Sequence, residues 1–348
     1  MTNMTDNNLF EKFCDERNIS KSTQKGYVSA LENYERFNDM SIDELIDEAK
    51  IDEDNNIPIK NRKIKKRMID YRMHLLKTYS SPNTVRTYFT KIKTFYRHFE
   101  IEVPKLPDAK YNKDYEINYF DLPTREHIRE ALDMVSIEMK SIILFMSSSG
   151  TAKSETLSIT VGQFLEATRD YHNGGSINDI LTTLSKRDDV IPTFYLKREK
   201  TDKFYYTFCS SEAAGHIVTY LKSRKNLKAE DRLFEITDSS LTRKFQEIND
   251  TMGWGFKGKY RFFRSHSLRK FHASNIGLSA EYVDSLQGRS KNIVHESYIK
   301  TNPIRLKEIY ESAMHNVMIN IPQETKKNNQ EFTIVINVFL SGKEYNII

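Results

Sequence analysis

The sequence predicts a mainly α-helical protein with two domains, the second of which contains a small antiparallel β-sheet. Three observations support this fold class. The 348 residues are too many for one typical hydrophobic core and suit two. Apolar residues recur at helical spacing through the first hundred residues. Residues 190–209 instead alternate apolar and polar side chains, as the strands of a β-hairpin do.

Residues 1–106 are predicted to form an all-helical domain. The expected helices lie at 7–18, at 22–37, in a short segment after Ser41, at 60–78 and in a segment opened by the turn at 80–83. Ser20 or Ser22 is the expected N-cap of the second helix, and Glu44 completes a capping box with Ser41. The apolar stripe of helix 60–78 is expected to contain Ile64, Met68, Tyr71, Leu75 and Leu76.

A polar loop is expected at 52–56, and a polar linker at 107–118 leads to a second domain at 119–320. There we expect a helix at 125–135 after Thr124, an apolar segment at 142–146, the hairpin with a turn near Thr201 and Asp202, helices at 211–224 and 239–251, and a helical stretch within 266–318.

The tail, residues 321–348, contains a second segment of strand composition. Residues 322–330 are polar, and Phe332–Leu340 has the composition of a strand. We expect this strand either to add to a sheet of a neighbouring protomer or to pair locally through the turn at Ser341 and Gly342.

The composition, with 38% hydrophobic and 29% charged residues, fits a soluble globular protein. No run of 18 apolar residues or signal-peptide pattern occurs, so we expect no membrane partner. Two distant cysteines, Cys14 and Cys209, favour a reducing cytoplasm over a disulfide framework.

Charge is distributed unevenly along the first domain. Residues 60–98 contain twelve Lys or Arg and one acid, whereas residues 1–59 contain fourteen acids and six bases. Such a block is either a solvated helix face or a surface for a polyanion. The candidate DNA-binding residues are Lys60, Arg62, Lys63, Lys65, Lys66, Arg67, Arg86, Lys91 and Lys93.

The second domain contains residue types that phosphodiester chemistry needs, in a definite order. They are Gly150-Thr151-Ala152-Lys153-Ser154-Glu155, Lys200-Thr201 at the hairpin turn, His266-Ser267-Leu268-Arg269, Gly288-Arg289, and Tyr298 nine residues after Arg289. Cleavage without a metal requires a nucleophile, cations for the non-bridging oxygens and an acid for the leaving oxygen. Tyrosine, arginine and lysine suit these three roles.

These motifs resemble the tyrosine recombinase (integrase) family, especially its archaeal integrase-like members. His266-Ser-Leu-Arg269 resembles the family's His-x-x-Arg box, Lys200 its hairpin lysine and Tyr298 its nucleophile. Ser81-Pro-Asn-Thr-Val-Arg-Thr-Tyr88 looks like part of a helical core-binding domain. The resemblance implies such a domain followed by an α+β catalytic domain, and it covers roughly residues 7–318.

Two positions depart from the family's pattern. Arg289 stands where the family has His or Trp, and it can still donate to phosphate. The family's first arginine aligns with Ala152, and Lys153 lies one position further on. Lys153 is therefore expected to reach the phosphate in its place, without a bidentate fork.

The resemblance implies a site-specific recombinase that cleaves and rejoins double-stranded DNA through a 3′-phosphotyrosyl intermediate. It implies a tetramer on DNA, a nucleoid-associated location, no cofactor, metal or small-molecule substrate, and a role in integrating or excising a mobile element. His266, His272 and His295 lack the spacing of a zinc site, and no Walker loop or nucleophile elbow occurs.

Two alternatives stay open at this point. Ala152 favours a DNA-binding regulator or architectural protein with an impaired active site. A type IB topoisomerase-like enzyme would use similar chemistry without a specific site or a tetramer.

Overall fold

The computed structural model describes residues 7–110, 115–289 and 302–320, together with the backbone of 336–340 and 343–347. The chain divides into two units, Met1–Glu116 and Ile117–Ile348. The division falls inside the predicted linker at 107–118. None of the helices among the described residues is long and apolar enough to cross a bilayer.

The described residues of the first unit form five α-helices. They are α1 (Asn8–Glu16), α2 (Lys21–Asn38), α3 (Ile42–Asp54), α4 (Lys63–Thr78) and α5 (Pro82–His98), with a short 3-10 helix at Ile59–Asn61. The Ser20 hydroxyl accepts the backbone N–H of Thr23, so Ser20 is the N-cap of α2. The predicted capping box of Ser41 and Glu44 opens α3.

Large aromatic side chains fill the core of the first unit. Phe13, Tyr34, Tyr71, Phe95 and Tyr96 are fully buried or nearly so. The Tyr34 and Tyr96 hydroxyls lie 3.3 Å apart, and the Tyr71 hydroxyl donates to the Asn33 side chain at 2.9 Å. The polar ends of these rings are therefore satisfied inside an otherwise apolar core.

Two predictions for this unit were wrong in detail. Leu76 is exposed, whereas the other four residues of its predicted stripe are buried. Helix α3 continues to Asp54, through the first part of the loop predicted at 52–56. The reason is the buried Asp52 carboxylate, which accepts the backbone N–H of Lys63 at 2.7 Å and joins the end of α3 to the start of α4.

The second unit surrounds a larger core. The helices among its described residues are α6 (Arg125–Asp133), α7 (Ile137–Ser149), α8 (Lys153–Ser158), α9 (Val161–Ala167), α10 (Ile177–Leu184), α11 (Ser211–Ser223), α12 (Asp238–Thr251), α13 (Ser265–Asn275), α14 (Ala280–Leu286) and α15 (Pro303–Ala313). Helix α7 is buried from Ser141 to Ser149 and contacts α11 and α13. The hydroxyls of Ser147, Ser148 and Ser149 donate to carbonyls of their own helix, so these serines are structural.

The predicted hairpin is present as β1 (Thr193–Arg198) and β2 (Lys203–Phe208). The strands are antiparallel, with Thr193 opposite Phe208 and Arg198 opposite Lys203. Residues 199–202 therefore form the turn, and Asp202 adopts a left-handed conformation with φ 52°.

Two smaller hairpins complete the described strands. Strands β3 (Phe256–Lys257) and β4 (Tyr260–Arg261) precede α13. In the tail, β5 (Ile336–Leu340) pairs antiparallel with β6 (Lys343–Ile347), which is the local pairing that the sequence allowed. The start of the predicted strand and its turn at 341–342 lie outside the described residues.

Candidate active site

Helix α13 presents two buried polar side chains to the same neighbours. Arg269 and His272 are three positions apart and therefore lie on one helix face. The Arg269 guanidinium donates from Nη1 to the carbonyl of Gly150 at 2.7 Å and from Nη2 to the carbonyl of Gln287 at 2.8 Å. Arg269 thus joins the end of α7 to the segment that follows α14.

Gly150 is required at the end of α7 for two reasons. Its φ of 67° is left-handed, where a Cβ is strained. A Cβ at this position would also lie 2.5 Å from Nδ1 of His272 and 2.6 Å from Nε2 of Gln287. The close approach of α7 to α13 therefore depends on the glycine of the Gly150-Thr-Ala-Lys motif.

Gln287 and His272 form a buried hydrogen-bond network behind Arg269. The Gln287 amide donates to the Arg269 carbonyl at 3.2 Å and lies 3.0 Å from Nδ1 of His272. Complete burial, and then Arg269 and Arg289, lower the pKa of His272 to about 3. His272 is therefore neutral at pH 7, and its Nδ1 can accept the amide proton.

The positive guanidinium of Arg269 is buried and has both another guanidinium and a carboxylate near it. Burial is the largest cause that lowers its pKa to about 10, and the second cause is the neighbouring Arg198 guanidinium. The buried carboxylate of Glu155 acts in the opposite direction. Glu155 itself accepts the backbone N–H of Ala152 at 2.8 Å. Arg269 stays charged at neutral pH because about 10 is still well above 7.

The turn after α14 carries Arg289. Gly288 has a φ of 60°, and a Cβ there would lie 2.5 Å from the ring of the buried Tyr205 on β2. The hairpin holds this turn from both strands. Arg198 donates to the carbonyls of Gln287 and Gly288 at 3.3 and 2.9 Å, and Lys203 donates to the carbonyl of Arg289 at 3.3 Å.

Arg289 and His266 lie at the partly open edge of this cluster. The Arg289 side chain is 42% exposed and lies 3.5 Å from the Asp284 carboxylate. Desolvation of the ring, and then the cations Arg264, Lys270, Arg269 and Arg289, lower the pKa of His266 to about 4. His266 is therefore neutral at pH 7 and lies close to two of the predicted site arginines.

The remaining predicted site residues are placed differently. Lys200 is exposed in the hairpin turn, between Arg198 and Lys203, whose side chains hold the 287–289 segment. The Lys153 ammonium is bound by Asp238 and Thr242 of α12 at 2.8 and 2.9 Å. Lys153 is thus not brought to the Arg269 cluster, contrary to expectation. Tyr298 lies outside the described residues.

Two of the predicted DNA-binding arginines form ion pairs with carboxylates of the first unit. Arg67 donates to both carboxylate oxygens of Glu48 and to Asn38. Arg62 pairs with Glu53 and, at 3.4 Å, with Glu102. These guanidiniums are satisfied by carboxylates of the same unit and hold its elements together, so the ion pairs do not favour the expectation that Arg62 and Arg67 face DNA, which stays a prediction.

The other candidate cations of the first unit are less neutralised. Lys63 lies 3.5 Å from Glu48, and Lys66 pairs with Asp70 on the same helix, but both are exposed. Lys60 and Lys65 show no ion pair within the described part of the chain. Arg86 is exposed on α5.

Lys91 and Lys93 are half-buried over aromatic rings. The Lys91 ammonium lies 5.3 Å from the centre of the Tyr27 ring, and the Lys93 ammonium lies 5.2 Å from that of Phe89. Burial lowers the pKa of both, and for Lys93 the neighbouring Arg97 and Arg72 lower it further. Lys93 therefore belongs to a surface where positive charges repel one another.

Sequence reasoning missed four residues of the cluster: Glu155, Arg198, His272 and Gln287. The sequence could have indicated Arg198, because it lies two residues before Lys200 and on the face of β1 that points inward. Phe194 and Leu196, the preceding residues of that parity, are buried. Gln287, on the segment between α14 and Arg289, carried no signal of its own.

No three histidine, cysteine or acidic side chains in the described ranges come together to hold a metal ion.

Comparisons with known proteins identify the fold. No family model matches the sequence, and no curated protein matches it. Among solved structures, a Tn1549 transposon integrase in complex with circular intermediate DNA matches with a TM-score of 0.56 at 12% identity, covering 87% of this chain and 97% of that chain. The same integrase in complex with transposon right end DNA matches with a TM-score of 0.54 at 13% identity, covering 87% and 97%. The chain therefore has the two-domain tyrosine recombinase fold, with a helical domain followed by an α+β domain, as the sequence predicted.

Proposed function

We propose that this protein is a site-specific DNA recombinase that cleaves and rejoins DNA through Tyr298. One observation carries the proposal. Arg269 donates to the carbonyl of Gln287, two residues before Arg289, His266 lies three residues before Arg269 on α13, and Tyr298 follows Arg289 by nine residues. The two guanidiniums and the tyrosine would supply the cations and the nucleophile that metal-free phosphodiester cleavage requires, and the neutral imidazole can accept a proton.

In the cleavage step, the Tyr298 oxygen attacks the scissile phosphorus. A bond forms between this oxygen and phosphorus, and the bond from phosphorus to the 5′ oxygen breaks. Lys200 protonates the departing oxygen, which leaves as a 5′-hydroxyl. The phenolic proton passes to His266, whose pKa rises when the bound phosphate offsets the surrounding cations.

Arg269 and Arg289 stabilise the charge that develops on the non-bridging oxygens. The phosphotyrosyl bond conserves the free energy of the phosphodiester, so the 5′-hydroxyl of a partner strand can reverse the step without a cofactor. Two such rounds exchange two duplexes. We propose that a tetramer bound to double-stranded DNA carries them out, to integrate or excise a mobile element.

A second candidate function is a DNA-binding regulator with an impaired active site. It is favoured by Ala152, which occupies the position of the family's first arginine, and by the ion pair that keeps Lys153 with Asp238. This candidate predicts binding to a specific DNA site without cleavage.

A nicked suicide substrate distinguishes the two functions. The duplex carries the recombination site, isolated from the flanking DNA of the source replicon, with a nick beside the cleavage position, so that a short product strand is lost and the adduct accumulates. We expect a protein–DNA adduct that survives a denaturing gel and is absent with Tyr298→Phe. Specific binding without an adduct in the unaltered protein would support the regulator instead.

A further inference from the structure

We propose that Arg198, on the hairpin strand β1, supplies the guanidinium that Ala152 cannot supply and binds the scissile phosphate together with Arg269. This inference rests on the proposed function and deepens it. It assigns a further catalytic residue to a chain in which Ala152 occupies the position of the family's first arginine.

Arg198 lies beside Arg269 in the cluster. Arg198 and Arg269 both donate to the carbonyl of Gln287, at 3.3 and 2.8 Å, so the two guanidiniums flank one backbone oxygen. Arg198 also donates to the carbonyl of Gly288, the residue before Arg289. Three arginines from β1, α13 and the turn after α14 therefore converge on one short segment.

The positive charge of Arg198 is not neutralised by a described carboxylate. Arg198 is the neighbouring charge with the largest effect on the lowered pKa of Arg269. Other arginines of this unit have carboxylate partners, as Arg187 does in Asp189 and Arg261 in Asp250. No described carboxylate pairs with Arg198. A positive group left unneutralised among other positive groups is expected where an anion binds.

Arg198 has a hydrogen-bond donor without a partner among the described residues. The Nε atom of Arg198 is buried and has no hydrogen-bond partner in the described part of the chain. An unpaired buried N–H costs free energy unless a ligand completes it. A phosphate oxygen would satisfy Nε, and the planar fork allows a second contact through the adjacent amino group.

The alternation of β1 directs the Arg198 side chain inward. Alternate residues of a strand face one side, and Phe194 and Leu196 are buried on the side that Arg198 shares. Arg198 is therefore fixed by the strand, two residues before the exposed Lys200, which we propose as the acid. The same hairpin would then supply both a phosphate clamp and a proton donor.

The competing explanation is that Arg198 only tethers the turn that carries Arg289. Arg224 offers a matched control, because it donates in the same way to two consecutive carbonyls, those of Arg232 and Leu233, and pairs with Glu235. Arg224→Ala removes such a tether elsewhere in the same unit, so it reports the loss of structure without the loss of a phosphate contact.

The first measurement is the rate of adduct formation on the nicked substrate under saturating protein. Removing one preorganised donor typically slows such a step about 100-fold or more. We expect Arg198→Ala to lose about this much, Arg198→Lys to recover only part of it, and Arg224→Ala to react nearly as the unaltered protein does. An Arg198→Ala variant that reacts as fast as Arg224→Ala would overturn the proposal.

The second measurement separates charge stabilisation from tethering. A substrate with a methylphosphonate at the scissile position carries no negative charge there, so its reaction needs no guanidinium partner. We expect the deficit of Arg198→Ala, relative to Arg224→Ala, to shrink at least about 10-fold on this substrate, since the lost interaction is with that charge. An equal deficit on both substrates would show that Arg198 acts only through the turn.

The third measurement does not depend on DNA cleavage. Inorganic phosphate should raise the melting temperature of the full chain, because a ligand that binds only the folded state stabilises it. We expect the rise to be smaller for Arg198→Ala than for Arg224→Ala. An equal rise would refute a phosphate site at Arg198, whereas a reduced rise in a protein that forms no adduct would reject the recombinase function and keep the anion site.

Discussion

Arginines in two positive regions of the molecule, one in each unit, are held by different kinds of partner. Arg62, the residue before α4, is bound by Glu53, and Arg67 on α4 is bound by Glu48; both acids lie on α3. In the second unit, Arg198 and Arg269 donate to backbone carbonyls of the 287–289 segment, which itself contains Arg289.

In that cluster most of the hydrogen bonds are made with backbone carbonyls instead of carboxylates. A carbonyl holds a guanidinium in position without cancelling its charge, whereas a carboxylate does both. The basic block on α4 is thus partly structural, whereas the arginines of the second cluster are held mainly by carbonyls, which leave their positive charge in place. The density of lysine and arginine in a sequence therefore does not tell where positive charge is available.

The largest expected effect comes from removing the centre of the second cluster. Arg269→Ala should slow adduct formation by at least about 100-fold, because one transition-state donor is lost. It should also lower the free energy of unfolding by about 1–3 kcal/mol, because the carbonyl of Gly150 is left unpaired, whereas that of Gln287 keeps its hydrogen bond from Arg198. Adduct assays and urea unfolding check the two parts. A variant of normal stability and normal rate would contradict this account of the cluster.

The next effect concerns the turn that presents Arg289. Gly288→Ala would strain a residue with φ 60° and press a Cβ against Tyr205, so we expect a loss of about 1–3 kcal/mol in the free energy of unfolding. Gly215→Ala is the matched control, since Gly215 is an exposed helical glycine with nothing near its Cβ position. It should gain roughly 0.5–1 kcal/mol. Equal effects from both substitutions would show that the turn is not constrained.

Two substitutions on α4 test whether an arginine held by a carboxylate and a lysine without an ion pair differ in DNA binding. Arg67→Ala should cost about 1.5–3 kcal/mol of unfolding free energy, because it breaks charged hydrogen bonds to Glu48, while leaving the salt dependence of DNA binding unchanged. Lys65→Ala should leave the melting temperature unchanged and reduce the slope of log affinity against log salt by about 1. The reverse pattern would show that Arg67, and not Lys65, faces DNA.

The smallest effect is a pH dependence that His272 imposes on stability. Its pKa is about 3 in the folded protein and about 6.5 when unfolded, so the unfolded chain binds the extra proton. Stability is therefore full above pH 6.5 and falls as the pH is lowered from there towards 3. Between pH 7 and 5.5 the expected loss from this residue is roughly 1 kcal/mol. His266 acts in the same direction.

His272→Asn places an amide oxygen, which is a hydrogen-bond acceptor, near the position of Nδ1 and removes the titratable imidazole. Urea unfolding at the two pH values should show a smaller pH-dependent loss for this variant than for the unaltered protein. If both proteins lose the same stability, His272 is protonated in the folded state, and the hydrogen bond assigned to its Nδ1 is wrong.

Local signals made most of the fold predictable. Ser20, Ser41 and Thr124 cap helices where they were expected, because an N-cap is a matter of neighbours in sequence. The hairpin followed from alternation, with its turn at 199–202. Leu76 departed from its predicted stripe because the stripe is narrower than the apolar pattern suggested, and only tertiary packing decides its width.

The site was less predictable because its partners are far apart in sequence. Glu48 is 19 residues from Arg67, and Asp238 is 85 residues from Lys153, so neither ion pair could be inferred from spacing. Alignment against a family motif assigned the missing arginine to the nearest cation, Lys153. Only the packing of β1 against the 287–289 segment reveals Arg198 as a nearer candidate.

The most direct test of the central claim identifies the atom that carries the DNA. Cleavage after lysine and arginine releases residues 292–300 as one peptide, in which Tyr298 is the only tyrosine. The adduct formed on the nicked substrate would be trimmed with nuclease, digested and analysed by mass spectrometry. We predict that this peptide carries a nucleotide through a phosphate on Tyr298. DNA attached to any other peptide, or site-specific binding that yields no modified peptide, would contradict the account.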